Sequence, residues 1–468
     1  MSRYTFIVCI ALVYFAAVTA SAAFTDEKPE LKYHWNQVNF TWRTKEEYDD
    51  WVKNDGPHNC MPAGIKVSHS HEMFVSFPRW NPHVPATLTR IVEDSDGNAV
   101  FEPYPSWEMN EEGNVTALQS VLGFEIDADD RLWILDQGRV NNQQALPGSI
   151  KLVVWDIPTN TLVWSSAFAP EVAPLNTSFL NDLVIDVRRQ KVYVTDSGLP
   201  LDASVDNNTY GALIVFDVES KTSRRVLSLQ ESTIANSSLW IVINDHHVNP
   251  DAPMRTGADG IALTADGSTL YYLPLTSHAL YSLPVQRLVE PNITDEDLLK
   301  YVTIVTPDRG SASDGLACDF NNTLYLSSLE GNGILRMSME DETPVFNQLT
   351  ENASAMRWPD TLGFDHSGNI VYMANSLYLF VAHTINWTDP FNFCVWSYKT
   401  NTGSYLDEPE EESSSSGSKG KPLMFYIIII GLSVFVAIGI IAIIIISFWG
   451  LRICCFKPPA SSYTSVCY

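Results

Sequence analysis

The 468-residue chain is predicted to be all-β: a six-bladed β-propeller ectodomain followed by one C-terminal transmembrane α-helix. Three observations predict this. Six hairpin-like segments recur between Gly64 and Ser376, their first strands share one pattern of residue size, and a charge-free apolar run follows from Met424 to Trp449.

The region from about Phe24 to Gly403 is filled with short alternating runs such as KLVVWDI, LIVFDV, KVYVTD and TLYYLPL, punctuated by Asn, Asp, Gly and Ser. Period-two alternation between turn formers is the pattern of half-buried strands. The six repeats are GIKVSHSHEMFVSFPRW from Gly64, GFEIDADDRLWILDQG from Gly123, DLVIDVRRQKVYVTDSG from Asp182, GIALTADGSTLYYLPL from Gly260, GLACDFNNTLYLSSLEG from Gly315 and TLGFDHSGNIVYMANS from Thr361. Each reads as two strands around a polar turn. Spacings of about 45 to 80 residues suit four-stranded blades with variable loops, and radial closure leaves no long exposed edge.

Aligning the first strands adds geometry. Ile65/Val67, Phe124/Ile126, Leu183/Ile185, Ile261/Leu263, Leu316/Cys318 and Leu362/Phe364 share one face, expected to pack between blades. The residues between them, Lys66, Glu125, Val184, Ala262, Ala317 and Gly363, are mostly small, as crowding near an axis requires. Lys66 and Glu125 are expected to pair in the channel. The position before each inner strand should ring the channel mouth: Ala63, Leu122, Asn181, Asp259, Asp314 and Asp360. Three carboxylates and an amide converging there suit a hard cation such as Ca²⁺ or an organic ammonium. The competing explanation is that Asp and Asn before a strand cap turns through their own backbone.

No HExxH, GxSxG or phosphate-loop pattern is present. His69 and His71, and the adjacent His246 and His247, lack companions at metal-ligand spacing and read as solvent-exposed. Trp80, Trp133, Trp358 and Phe364 are expected mostly in the core, some of them near enough the mouth to stack on an aromatic ligand.

The ends define the topology. Residues 1–22 have a basic start, an apolar stretch and the small residues Ala20-Ser21-Ala22, the layout of a signal peptide. Residues 423–449 are long enough at ~1.5 Å per residue to cross a ~30 Å hydrocarbon core, with Arg452 and Lys457 beyond. The expected organisation is therefore an ectodomain over 23–403, an acidic and Ser/Gly-rich stalk over 404–422, the membrane helix, and a short cytoplasmic tail over 450–468. This is a single-pass type I arrangement in the plasma membrane or a secretory-pathway membrane, with the ectodomain extracellular or lumenal.

Nine Asn-x-Ser/Thr sequons, at Asn39, Asn114, Asn176, Asn207, Asn236, Asn292, Asn321, Asn352 and Asn386, predict a glycosylated surface. With 55 acidic against 29 basic residues the formal charge is −26, which disfavours nucleic acid as a partner and favours cationic small molecules. Within the expected ectodomain the cysteines are Cys60, Cys318 and Cys394. Cys318 falls in the apolar set, which leaves Cys60 and Cys394 as the pair available for a disulfide. Cys454 and Cys455, just past the helix, are candidates for S-palmitoylation.

The run FVSFPRWNPHVPATLTRI from Phe74, with RLWILDQG, KLVVWDI, GALIVFDV, DGIALTADGSTLYYLPLTSHALYSLP and DTLGFDHSGNIVYMAN, resembles the yellow and major royal jelly protein family over about Leu31 to Trp396. The resemblance implies a six-bladed propeller that binds ligand at its central opening, biogenic amines in some members, with dopachrome conversion linked to others. It transfers Asp259-Gly260 and Asp360 by motif position as ligand-binding residues, beside the Asn181 and Asp314 of the ring. Two departures stand out: the membrane anchor, and VYMANS in a last-blade strand where tryptophan is common. The expected function is capture of a small aromatic or cationic ligand, biogenic-amine-like, at the cell surface. The alternatives are a propeller enzyme, either dopachrome-tautomerase-like or a calcium-dependent lactonase or esterase, and an adhesion or matrix-binding ectodomain. Similar propellers of the calcium-dependent kind hold their ion with axial oxygen ligands, a set that Asn181, Asp259, Asp314 and Glu125 would imitate.

Overall fold

The alternation becomes six antiparallel four-stranded sheets in the computed structural model, which describes residues 28–201, 210–338 and 344–407. The strands of blade 1 are Ile65–Val67, Met73–Ser76, Leu88–Glu93 and Ala99–Pro103; those of blade 2 are Val121–Ile126, Arg131–Asp136, Lys151–Asp156 and Thr161–Ala167. Blade 3 uses Leu180–Asp186, Lys191–Asp196, Ala212–Asp217 and Thr222–Val226, and blade 4 uses Ala258–Leu263, Thr269–Pro274, Leu280–Pro284 and Thr303–Thr306. Blade 5 runs Leu316–Cys318, Leu324–Ser328, Gly333–Ser338 and Val345–Glu351. Blade 6 takes three strands from the end of the domain, Pro359–Phe364, Asn369–Ala374 and Phe393–Lys399, and its outermost strand from the beginning, Glu30–Trp35.

That shared blade closes the ring by hydrogen bonds instead of a covalent link. Glu30 to Trp35 pair with Ser397 to Phe393, and the first strands of successive blades touch in sequence until blade 6 meets blade 1. Burial follows the predicted faces: of the twelve apolar residues assigned between blades, each is buried, Ile126 and Phe364 being the most exposed at 8%.

Two local devices set the inner ring. In blades 2, 3, 4 and 6 a β-bulge interrupts the first pair of strands, between Val121 and Phe124, Leu180 and Leu183, Ala258 and Ile261, and Pro359 and Leu362. Each bulge contains the predicted mouth residue, and the extra residue frees that side chain from the pleat and re-aims it. The following glycines let neighbouring blades approach. A Cβ on Gly123 would lie 2.3 Å from the Asn181 carbonyl oxygen, and one on Gly315 would lie 2.2 Å from that of Asp360; only a residue without a Cβ fits.

In blades 2 and 3 the aspartate ending the second strand ties the blade to the preceding loop. Asp136 accepts the backbone N–H groups of Gln119, Ser120 and Gly138 and pairs with buried Lys151 at 2.9 Å. Asp196 does the same for Phe179 and Gly198 and pairs with Arg225 at 2.6 Å. The aspartates of ILDQG and VTDSG are thus structural ties.

Two expectations are corrected. Cys60 and Cys394 form no disulfide: both are free and buried, like Cys318. Cys60 ends a short helix, Gly56–Asn59, inside the cluster containing Trp51 and Met61, whereas Cys394 sits near the start of the strand Phe393–Lys399, opposite His34 and Ala374, in the core of blade 6. Burial pushes both thiols up, Cys394 to about 12, so both stay protonated. The domain also extends past residue 403. Ser404 bridges to Asp319, Tyr405 and Leu406 pack on the undersides of the blades, and the Tyr405 hydroxyl accepts a 2.8 Å bond from the Ile185 N–H.

The expected signal segment, residues 408–422 of the stalk, the membrane helix, the tail with Cys454 and Cys455, and the sequon at Asn207 lie outside the described residues. Among the described residues no helix is long and apolar enough to cross a membrane. Of the eight described sequon asparagines, Asn39, Asn176, Asn236, Asn292, Asn321 and Asn386 are exposed, and Asn114 and Asn352 half-buried. No core position is occupied by any of them.

Candidate functional site

The bulged inner strands of blades 2, 3, 4 and 6, with the segment before blade 5's first strand, bring Leu122, Asn181, Asp259, Asp314 and Asp360 to one cavity of about 510 Å³ at the upper opening of the propeller. Ala63, the sixth predicted ring residue, is fully buried and does not line it. Gly260 lies just below the lining; a Cβ there would stand 2.6 Å from the Asp314 carbonyl oxygen, so its role is blade contact. Insertions between blades build the walls. Trp80 follows blade 1's second strand, Phe179 and Leu199 flank blade 3's first hairpin, Met254 and Arg255 precede blade 4, and Leu377 and Phe380 belong to the short helix Leu377–Val381 of blade 6. The guanidinium of Arg255 is engaged with the carbonyls of Leu239, Met254 and Ser237.

The floor is a chain of carboxyl groups, each 7% exposed or less, so their charge is poorly solvated. Asn181 Nδ2 donates to Asp259 at 2.7 Å, Trp358 Nε1 to Asp314 at 2.5 Å, and Asn375 Nδ2 to Asp360 at 2.6 Å. The Asp259 and Asp314 carboxyls are close enough to interact directly, Asp259 pushed up and Asp314 held down by the contact. Burial pushes all three carboxyls up, and their mutual repulsion pushes Asp259 and Asp360 further. Asp314 rises only to about 6, because the Trp358 indole and Asp259 stabilise its anion against burial. Of the three, Asp314 is the carboxyl that ionises most readily, while burial and the neighbouring acids hold Asp259 and Asp360 toward their protonated forms.

Beneath this floor the axis narrows to a space of about 30 Å³ lined by Lys66, Glu125, Val184, Ala262, Ala317 and Gly363, the six residues predicted to face it. Such a space takes about one water molecule. Lys66 donates to Glu125 at 3.0 Å and to the Leu362 carbonyl at 2.9 Å, while the Ile126 N–H holds the other Glu125 oxygen. Glu125 is thus set apart from the Asn181, Asp259 and Asp314 group with which it would have shared a metal. Asp182 joins the same channel. Burial pushes its carboxyl up to about 7, against the pull of Lys66.

The family model for the major royal jelly protein family matches residues 119–405. The chain belongs to that family. Similar curated relatives include protein yellow of Drosophila erecta, 25% identical over 391 residues that cover 79% of this chain and 68% of that protein. Major royal jelly protein 3 of Apis mellifera is 25% identical over 315 residues, covering 64% of this chain and 53% of that protein. Among solved structures, a gluconolactonase from Xanthomonas campestris aligns with a TM-score of 0.42 at 14% identity, covering 73% of this chain and 86% of that one. Regucalcin from Agrobacterium tumefaciens, described as a calcium-binding protein, aligns at 0.44 and 10%, covering 74% and 91%. Similarity at that level bears on neither the site nor its chemistry.

In this royal jelly family member several residues take roles at the site that the sequence did not assign. Trp358 is completely buried, with φ of 59°, and holds Asp314 instead of facing a ligand. Asn375, from the departing VYMANS segment, supplies the partner of Asp360 and also bonds the Pro62 carbonyl at 3.0 Å. Phe179, Met254 and Phe380 lie in insertions without repeat register. Asp182 was legible in principle, as the one acid standing where four repeats have glycine.

Proposed function

We propose that this chain is a cell-surface glycoprotein that captures a small aromatic cation of the biogenic-amine type at the upper opening of its propeller. The observation that supports the reading is an apolar, aromatic-walled cavity whose floor is a cluster of buried carboxyl groups held by neutral donors. A ligand with one ammonium group and one ring matches both parts. The ammonium takes the charge on Asp314, in a site where desolvation strengthens the attraction. The ring lies among Trp80, Phe179 and Phe380, which offer stacking and apolar contact. Residues 1–22 route the chain for secretion, residues 423–449 anchor it, and the acidic surface concentrates cations near the opening.

Calcium is the competing occupant, because Asn181, Asp259 and Asp314 are hard oxygen donors. A dication requires six to eight oxygens and ionised carboxylates, so its binding must ionise carboxyls that burial holds toward the protonated form and displace the indole of Trp358. Calorimetric titration with serotonin, dopamine and Ca²⁺ separates the two. The proposal expects one amine per chain, with affinity lost in Asp314→Asn. Heat from Ca²⁺ together with silence toward every amine would transfer the site to the metal reading.

A further inference from the structure

The lower mouth of the channel holds a second group of side chains from three distant parts of the sequence. His69 comes from the turn after blade 1's first strand, His366 from the corresponding turn of blade 6, and Asp407 from the C-terminal segment that packs beneath the blades. Their ligating atoms all lie within 4.8 Å of one another. The two imidazoles stack with centroids 3.7 Å apart and planes at 20°.

We propose that His69, His366 and Asp407 form a site for a divalent transition-metal cation of the Zn²⁺ class, which fastens the C-terminal end of the domain beneath the propeller. Donor type selects the class: two imidazoles and one carboxylate suit Zn²⁺, Co²⁺ or Ni²⁺ better than Ca²⁺ or Mg²⁺.

The surroundings hold two of the donors in place. Asp130 Oδ1 accepts both the His69 backbone N–H and His69 Nδ1, each at 2.9 Å. This fixes the tautomer with the proton on Nδ1 and leaves the Nε2 lone pair for an ion, the carboxylate–histidine–metal arrangement. Asp407 Oδ2 is occupied by the Ser404 N–H at 2.8 Å, so Oδ1 is left facing His366 Nδ1 at 3.8 Å, too far for a direct hydrogen bond. The stacked rings must tilt apart for both nitrogens to reach one ion at about 2.1 Å, and their partial exposure on the open face leaves room for that. Three protein donors then leave a coordination position for water.

The test uses the full-length chain, stripped with chelator and titrated with Zn²⁺ by calorimetry and with Co²⁺ by visible absorption. One ion per chain is expected, with the intense visible bands of a four- or five-coordinate cobalt site. His69→Gln, His366→Gln and Asp407→Asn should each weaken binding more than Asp130→Asn, whose effect as an orienting residue is expected at about 10-fold. Because these side chains are partly exposed, the melting temperature without metal should match the parent, and added Zn²⁺ should raise it in the parent alone. Absence of binding, or binding undiminished in the His69→Gln/His366→Gln double variant, would overturn the proposal.

Discussion

Asp314 differs from its neighbours in having the strongest donor, the indole of Trp358, and so it is the carboxyl that carries charge near neutrality. Replacing it by Asn keeps the shape and removes the anion. Amine affinity should fall by about 1.5–3 kcal/mol, the range for a charged hydrogen bond, as read by calorimetry. The same assignment predicts pH dependence. Since Asp314 loses its proton near about 6, affinity should rise from acid pH through that value and level off above it; affinity unchanged across the range would place the ligand elsewhere. The four polar mouth positions were legible because the repeats share a register, so that Asn181, Asp259, Asp314 and Asp360 aligned before any coordinates. Their protonation was not legible, because it depends on Trp358 and Asn375, whose side chains reach the carboxyls only once the ring has closed. His366 shows the same limit: His69 looked solitary in the sequence because its companion lies almost three hundred residues away.

The inner strands tolerate little change, because each one faces a neighbour across the axis. Gly315→Ala places a methyl 2.2 Å from the Asp360 carbonyl oxygen, and overpacking of this kind costs about 1–3 kcal/mol. A denaturant midpoint within error of the parent would show that the blades can part there. The Lys66–Glu125 pair makes a sharper case. Lys66→Met strands a buried carboxylate, a loss of about 3–5 kcal/mol, whereas Lys66→Met with Glu125→Leu should recover most of it. Equal loss in the single and double variants would mean that the pair contributes little beyond packing. These strands were readable from the sequence because their apolar and small positions alternate without interruption. The cysteines were misread because elimination among three residues carries no information on distance, and the fold places Cys60 and Cys394 in separate clusters.

At the scale of the whole molecule, the channel acids make stability depend on pH in an unusual direction. Asp182 and Asp314 have folded-state pKa values of about 7 and about 6, against about 3.9 in an unfolded chain. Between those limits the native state binds more protons than the unfolded state, so the stabilisation is fully present below the unfolded value and is lost as pH rises through the folded ones. Carboxylates held low, such as Asp217 at about 2, do not titrate in that window. The melting temperature should therefore increase as pH falls from about 7.5 to about 5; a decrease would show that Asp182 and Asp314 are ionised throughout. The ring and its count of blades follow from repeats visible in the sequence, whereas the closure of blade 6 by Glu30–Trp35 and the insertions that roof the opening follow no period and emerge only in the fold. The central claim is that this roofed opening, with Asp314 at its floor, is where a small amine binds. Crystals soaked with serotonin test it most directly: the account predicts the ammonium within hydrogen-bonding distance of Asp314 and the indole among Trp80, Phe179 and Phe380. An empty opening at saturating amine, or the ligand bound at another surface, would contradict it.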